Sequence, residues 1–129
     1  MRLRALLLLV VILTLALVGC RSSPVYNVNN EPITTSTRRY SLQDVRGAIL
    51  RAGTGLGWRM KSVRDGLIIG TLYLRDHMAE VEISYDRASY SIKYRDSNNL
   101  DYDGANIHRN YNGWVQRLHG AINAQLSSL

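Results

Sequence analysis

Between Trp58 and Arg95 apolar and polar residues alternate with a period of two, and three clusters of turn residues cut the stretch into four runs. A period of two marks a strand with one buried face, and short turns between such runs make antiparallel neighbours. The turns also set a register. Arg64-Asp65-Gly66 suits a three-residue hairpin loop with the glycine left-handed, which places Ser62 opposite Ile68, Met60 opposite Gly70 and Trp58 opposite Leu72. A short turn at Asp76-His77 places Leu72 opposite Val81 and Leu74 opposite Ala79. A turn at Arg87-Ala88 sets Tyr85 against Tyr90, Ile83 against Ile92 and Val81 against Tyr94. One face of the four strands is then apolar, while the other aligns Glu82 with Lys93 and Glu80 with Arg95. A slip of one residue would lose both charge pairs and turn the apolar set to water. The sequence therefore predicts a four-stranded antiparallel meander.

Helical spacing flanks it on both sides. Ser41 is a plausible N-cap, and Leu42, Val45, Ala48, Ile49 and Ala52 follow on one face; Gly53 suits a left-handed stop. Near the C-terminus Ile107, Tyr111, Trp114, Val115, Leu118, Ile122 and Leu126 form a second apolar stripe. The expected fold is α+β, a two-layer sandwich of order αββββα with both helices on one face of the meander. The chain has eight Tyr and no Phe, so several Tyr are expected to pack with their hydroxyls reaching the rim.

Before the domain, Arg2 and Arg4 precede a charge-free apolar run from Ala5 to Val18. The run is shorter than the roughly 20 residues that span a bilayer, and it sits where a secretory signal belongs. It ends at Cys20, the only cysteine, which can form no internal disulfide. Leu17-Val18-Gly19-Cys20 resembles the lipobox of bacterial lipoproteins. That resemblance implies cleavage before Cys20, lipidation of its thiol and acylation of the new amino terminus. More than one acyl chain suits stable anchoring, because a single chain binds a bilayer marginally. Arg21, instead of an Asp, follows the cysteine, which by the family's sorting pattern implies the periplasmic face of the outer membrane. The expected organisation is a cleaved signal peptide over residues 1–19, a lipid-anchored flexible tether over 20–39 and one periplasmic domain over 40–129. Ser, Thr, Asn and both prolines crowd the tether, which has no sustained apolar period.

Chemistry is sparse. Loss of Arg2 and Arg4 with the leader lowers the formal charge from +6 to +4, and the cations do not cluster as a nucleic-acid surface requires. "GTGLG" at 53–57 lacks the spacing of a phosphate loop and follows a helix instead of a strand. Asn99, Asp101 and Asp103 in "NLDYDG" resemble the start of an EF-hand-type calcium loop, a weak candidate. Its first position lacks Asp, Asn110 stands where a bidentate Glu is needed, and a strand precedes it instead of a helix. A turn with Asp103 or Asn106 capping the final helix is the simpler expectation. His108 and His119 lie about 16 Å apart on a helix and cannot share an ion. No serine elbow is present, and the sole cysteine is committed to lipid, which leaves no catalytic residues. Asp101 with Asp103, or Glu80 with Glu82, remain as acid pairs suited to glycoside cleavage, although the glutamates have basic cross-strand partners.

Past the lipobox, "GWRMKSVRDGLIIGTLYLR" and "YSIKYRDSNNLDYDG" resemble small lipoproteins of Gram-negative bacteria, which implies a fold and an address and brings no catalytic residues. The expected function is a non-enzymatic envelope lipoprotein, anchored in the membrane by its lipid, that binds or scaffolds an envelope protein partner, with no cofactor and no nucleic acid. The alternative is a ligand-binding module for calcium, through loop 99–110, or for cell-wall glycan.

Overall fold

The computed structural model describes residues 21–37 and 39–129. The expected signal peptide over 1–19, Cys20 and Arg38 lie outside the described residues. Nine elements follow in order: strands β1 (Ser22–Pro24) and β2 (Val28–Pro32), helix α1 (Leu42–Gly55), strands β3 (Arg59–Arg64), β4 (Leu67–Leu74), β5 (His77–Tyr85), β6 (Ser89–Asn98) and β7 (Asn106–His108), and helix α2 (Arg109–Ser127). The class is α+β. The sheet has five strands in the order β2-β6-β5-β4-β3, and β1 with β7 makes a separate antiparallel ribbon.

The meander β3 to β6 is present, and so is most of its register. Ser62 faces Ile68, Met60 faces Gly70, Tyr85 faces Tyr90, Ile83 faces Ile92 and Glu82 faces Lys93. Two details differ. The β4–β5 turn falls at Arg75-Asp76, with Arg75 at φ +56°, one residue earlier than expected. Moving a two-residue turn by one position slides the pairing by two, so Leu72 faces Ala79 and Leu74 faces His77. An irregularity between Glu80 and Val81 sets Glu80 opposite Asp96, yet Arg95 Nη1 still reaches Glu80 Oε1 at 2.6 Å.

Residues 21–37 depart from the flexible tether expected over 20–39. β2 adds to the sheet edge beside β6, and β1 pairs with β7. Between them this segment lies along α2 as a strap. Asn112 Nδ2 donates to the Pro24 carbonyl at 2.8 Å, the Tyr26 amide donates to Asn112 Oδ1 at 2.8 Å, and Ser36 Oγ reaches the carbonyl of Leu129. Val28 is buried, with Val25, Tyr26 and Ile33 packed against the core. Four spaced apolar residues thus suffice to hold a stretch whose composition reads as a linker.

α1 begins with the expected cap. Ser41 Oγ accepts from the Asp44 amide at 3.1 Å while Asp44 Oδ2 accepts from the Ser41 amide at 2.8 Å, a reciprocal capping box. The helix runs past Gly53 and reverses at Gly57, which carries φ +88°. Gly53 is needed for room instead, since a Cβ there would overlap the Met60 side chain. α2 is capped by His108, whose Nδ1 accepts from the Asn110 amide at 3.1 Å, and not by Asp103 or Asn106. The intervening β7 delays the start of the helix.

Ile68, Leu72, Ala79, Val81, Ile83, Tyr85, Tyr90 and Ile92 of the sheet join Val45, Ile49, Val115, Leu118 and Ile122 of the helices in one apolar cluster. Each fully buried aliphatic chain in it contributes roughly 1.5–3 kcal/mol. Two tyrosines depart from the rim pattern: the hydroxyls of Tyr85 and Tyr111 are buried without a partner. Among the described residues no helix is long and apolar enough to cross a membrane.

Candidate functional site

The outward row of the sheet carries a group of polar and aromatic side chains that the core does not use. β3 offers Arg59, Lys61 and Val63, β4 offers Ile69, Thr71 and Tyr73, and Glu80 and Arg95 close the far side of a shallow depression of about 510 Å³. The alternation of each strand forces this arrangement, because the inward partners of these residues are the core. Tyr73 is 58% exposed, and the Arg59 guanidinium lies 4.9 Å from its ring centroid. Glu80 is spoken for on both oxygens: Thr71 Oγ1 donates to Oε2 at 2.9 Å and Arg95 Nη1 to Oε1 at 2.6 Å. Arg59 and Lys61 have no carboxylate among the ion pairs of the described residues. The depression therefore presents two unpaired cations beside an open aromatic ring, groups suited to holding a ligand.

Loop 99–105 carries the three candidate ligands Asn99, Asp101 and Asp103. Asn99 and Asp101 both adopt left-handed backbone, at φ +57° and +53°. Asn99 Nδ2 donates to Asp76 Oδ2 across the neighbouring hairpin at 2.9 Å. Asp103 Oδ1 accepts the amides of Ala105 and Asn106 at 2.9 and 2.7 Å, and these bonds hold its carboxyl below the usual value of 3.8. Asn99 and Asp103 thus use polar atoms on internal bonds, and Asp101 is exposed. Among the described residues no three His, Cys, Asp or Glu gather as a metal site.

The histidines scatter as their sequence separation implies. His77 Nδ1 is 2.7 Å from the carbonyl of Asn99, and its ring centroid is 6.2 Å from that of Trp114; His108 caps α2. His119 takes part in a cluster that sequence reasoning missed. Tyr26 Oη lies 2.9 Å from His119 Nδ1, Glu31 Oε1 lies 3.3 Å from its Nε2, and Asn123 Nδ2 donates to the same Glu31 oxygen at 3.2 Å. Tyr90 donates to Asn123 Oδ1 at 2.6 Å. Burial, helped by the charge of Glu31, pushes the Tyr90 hydroxyl well above the usual phenol range. Tyr26, Glu31, Tyr90 and Asn123 spend polar atoms on one another, so the cluster stitches the strap to α2. Its bonded partners are separated by up to 93 residues, and only the isolated Val25, Tyr26, Val28 and Ile33 in a polar stretch hinted that the segment packs.

Neither protein-family models, curated proteins nor solved structures yield a match to this chain.

Proposed function

We propose that the chain is a non-enzymatic bacterial envelope lipoprotein, acylated on Cys20 and seated on the periplasmic face of the outer membrane, whose domain binds or scaffolds an envelope protein partner. The observation that carries it is Leu17-Val18-Gly19-Cys20 behind a cationic start and a charge-free apolar run. In the two-layer arrangement we favour, both helices cover one face of the sheet and leave the other free for the partner. Support for binding over catalysis comes from Glu80, whose two oxygens are held by Thr71 and Arg95, while Arg59, Lys61 and Tyr73 stand open. Mass spectrometry of the mature amino terminus tests the anchor: an acylated Cys20 is expected, and a free Cys20 thiol or a retained Met1 overturns it. For the partner, photo-crosslinkers at Lys61 and Tyr73 in cells should capture one specific envelope protein, with capture reduced by Arg59→Glu. Recovery of no specific protein from either position counts against an adaptor.

A second reading, a cell-wall glycan module, draws on Tyr73, whose exposed ring offers a flat face for a sugar beside the cations that would take its acidic substituents. Calorimetry of the mature protein with muropeptides decides it, with saturable heat expected on this reading and silence removing it. The same titration with calcium addresses loop 99–110.

A further inference from the structure

Among the described residues five large apolar side chains stand well out of the core: Leu56, Val63, Tyr73, Leu74 and Tyr102. Val63 and Tyr73 belong to the open face. The other three, Leu56 and Tyr102 in connections and Leu74 as the last residue of β4, lie at one end of the molecule. Arg59 pairs with Thr71, so the α1–β3 turn that carries Leu56 lies at the end of the sheet where β4 finishes at Leu74. Leu74 closes the β4–β5 hairpin opposite His77, and His77 contacts the carbonyl of Asn99, where the loop carrying Tyr102 begins. That loop returns through the His108 amide, which donates to the Leu100 carbonyl at 2.8 Å. One residue on, the Arg109 amide donates to the carbonyl of Arg21 at 3.0 Å. The chain therefore leaves toward Cys20 from the same end that exposes Leu56, Leu74 and Tyr102. The other end is closed by different contacts: Tyr40 Oη to the Arg87 carbonyl and the Tyr85 amide to the Gly66 carbonyl.

We propose that this end of the domain docks on the bilayer, with Leu56 and Leu74 entering the boundary between headgroups and acyl chains and Tyr102 at headgroup depth. The proposal rests on the lipoprotein reading above. Cys20 is about 3.8 Å, one Cα step, from Arg21, whose carbonyl is already bonded to α2. Acyl chains on Cys20 leave no slack, so the end around Arg21 faces lipid whether or not the rest of the domain tilts. Exposed aliphatic and aromatic side chains on that end are what an interface takes up. Arg21, Arg75 and Arg109 stand there too, and none belongs to the four ion pairs among the described residues. Each is free for a lipid phosphate, and a basic residue near an anionic surface raises partitioning about fivefold.

The lone cysteine makes the test direct. Once Cys20 is acylated the chain has no other thiol, so Leu74→Cys, Leu56→Cys and Val63→Cys variants each carry a single label site. Val63 is the control, because it is at least as exposed as the other two, at 50%, and lies toward the opposite end of β3. The mature variants, reduced, labelled with an environment-sensitive fluorophore and reconstituted into phosphatidylcholine–phosphatidylglycerol vesicles, are read for emission and for quenching by nitroxide lipids. A severalfold rise with a blue shift and strong quenching is expected at 56 and 74, with an aqueous spectrum at 63. Equal responses at all three sites, or none at 56 and 74, in a protein whose parent refuses the label overturns the docking. A parent that takes the label at Cys20 overturns the lipoprotein reading, and the docking with it.

Discussion

Gly53 and Met60 are a pair whose meaning lies in space. In the sequence Gly53 reads as the stop of a helix, because glycine alone tolerates left-handed backbone cheaply. In the fold the helix continues to Gly55, and Gly53 is buried where a side chain would strike Met60. Two effects of similar size then compete at this site. Alanine gains about 1 kcal/mol of helix propensity over glycine, and forcing a methyl into a filled site costs about 1–3 kcal/mol. Gly53→Ala is therefore expected to destabilise by about 1 kcal/mol in urea unfolding, as the overpacking cost outweighs the propensity gain. With Met60→Ala removing the obstruction, the same change should turn stabilising by up to about 1 kcal/mol. A glycine's residue type announces that something requires it; whether that is a torsion or a neighbour is decided by the next strand.

At the scale of elements, inside and outside were legible, and position along the strand less so. Val81, Ile83 and Tyr85 alternate too regularly to face any way but inward. A slip of two residues in β4–β5 keeps every side chain on its own face, so the alternation could not distinguish Asp76-His77 from Arg75-Asp76 as the turn. The turn between β5 and β6, expected at Arg87-Ala88, falls between Tyr85 and Ser89 with the expected register, and its anchor is Asp86. Its Oδ1 accepts the amides of Ala88 and Ser89 at 2.6 and 2.8 Å, and those bonds lower its carboxyl below 3.8. A carboxylate whose value is depressed by folding contributes stability present above its ordinary value and lost as pH falls through the depressed one. Asp103, held the same way, adds to the same limb. The urea midpoint is expected to fall below about pH 4, with a flatter acid limb in Asp86→Asn and flatter still when Asp103→Asn is added. The sequence predicts a turn at 99–105 leading straight into the last helix, whereas in the fold it leads into β7 and caps no helix. Its internal partners, Asp76 across the hairpin and the amides of Ala105 and Asn106, could be assigned only once β7 was known to follow it.

For the molecule as a whole, the strap changes where the domain begins. Residues 21–37 look like linker because Asn, Ser, Thr and Pro dominate them, and no short-range period betrays that β2 pairs with β6, whose residues come about sixty positions later. Without them β6 is an open edge, Tyr90 and Ile92 lose their neighbour on one side, and His119 and Asn123 lose Glu31. A chain beginning at residue 40 is therefore expected to elute as aggregate or to melt without a cooperative transition, while one beginning at Arg21 melts as a unit; calorimetry and gel filtration compare them. The strap also governs how the domain bears load. β2 runs away from the Arg21 end, antiparallel to β6, and its hydrogen bonds lie across the strand direction. A tug on the chain at Arg21 along that axis strains those bonds simultaneously, in shear, instead of peeling them one by one. On the lipoprotein reading proposed above, a pull on the anchor would thus be met by strand bonds loaded together.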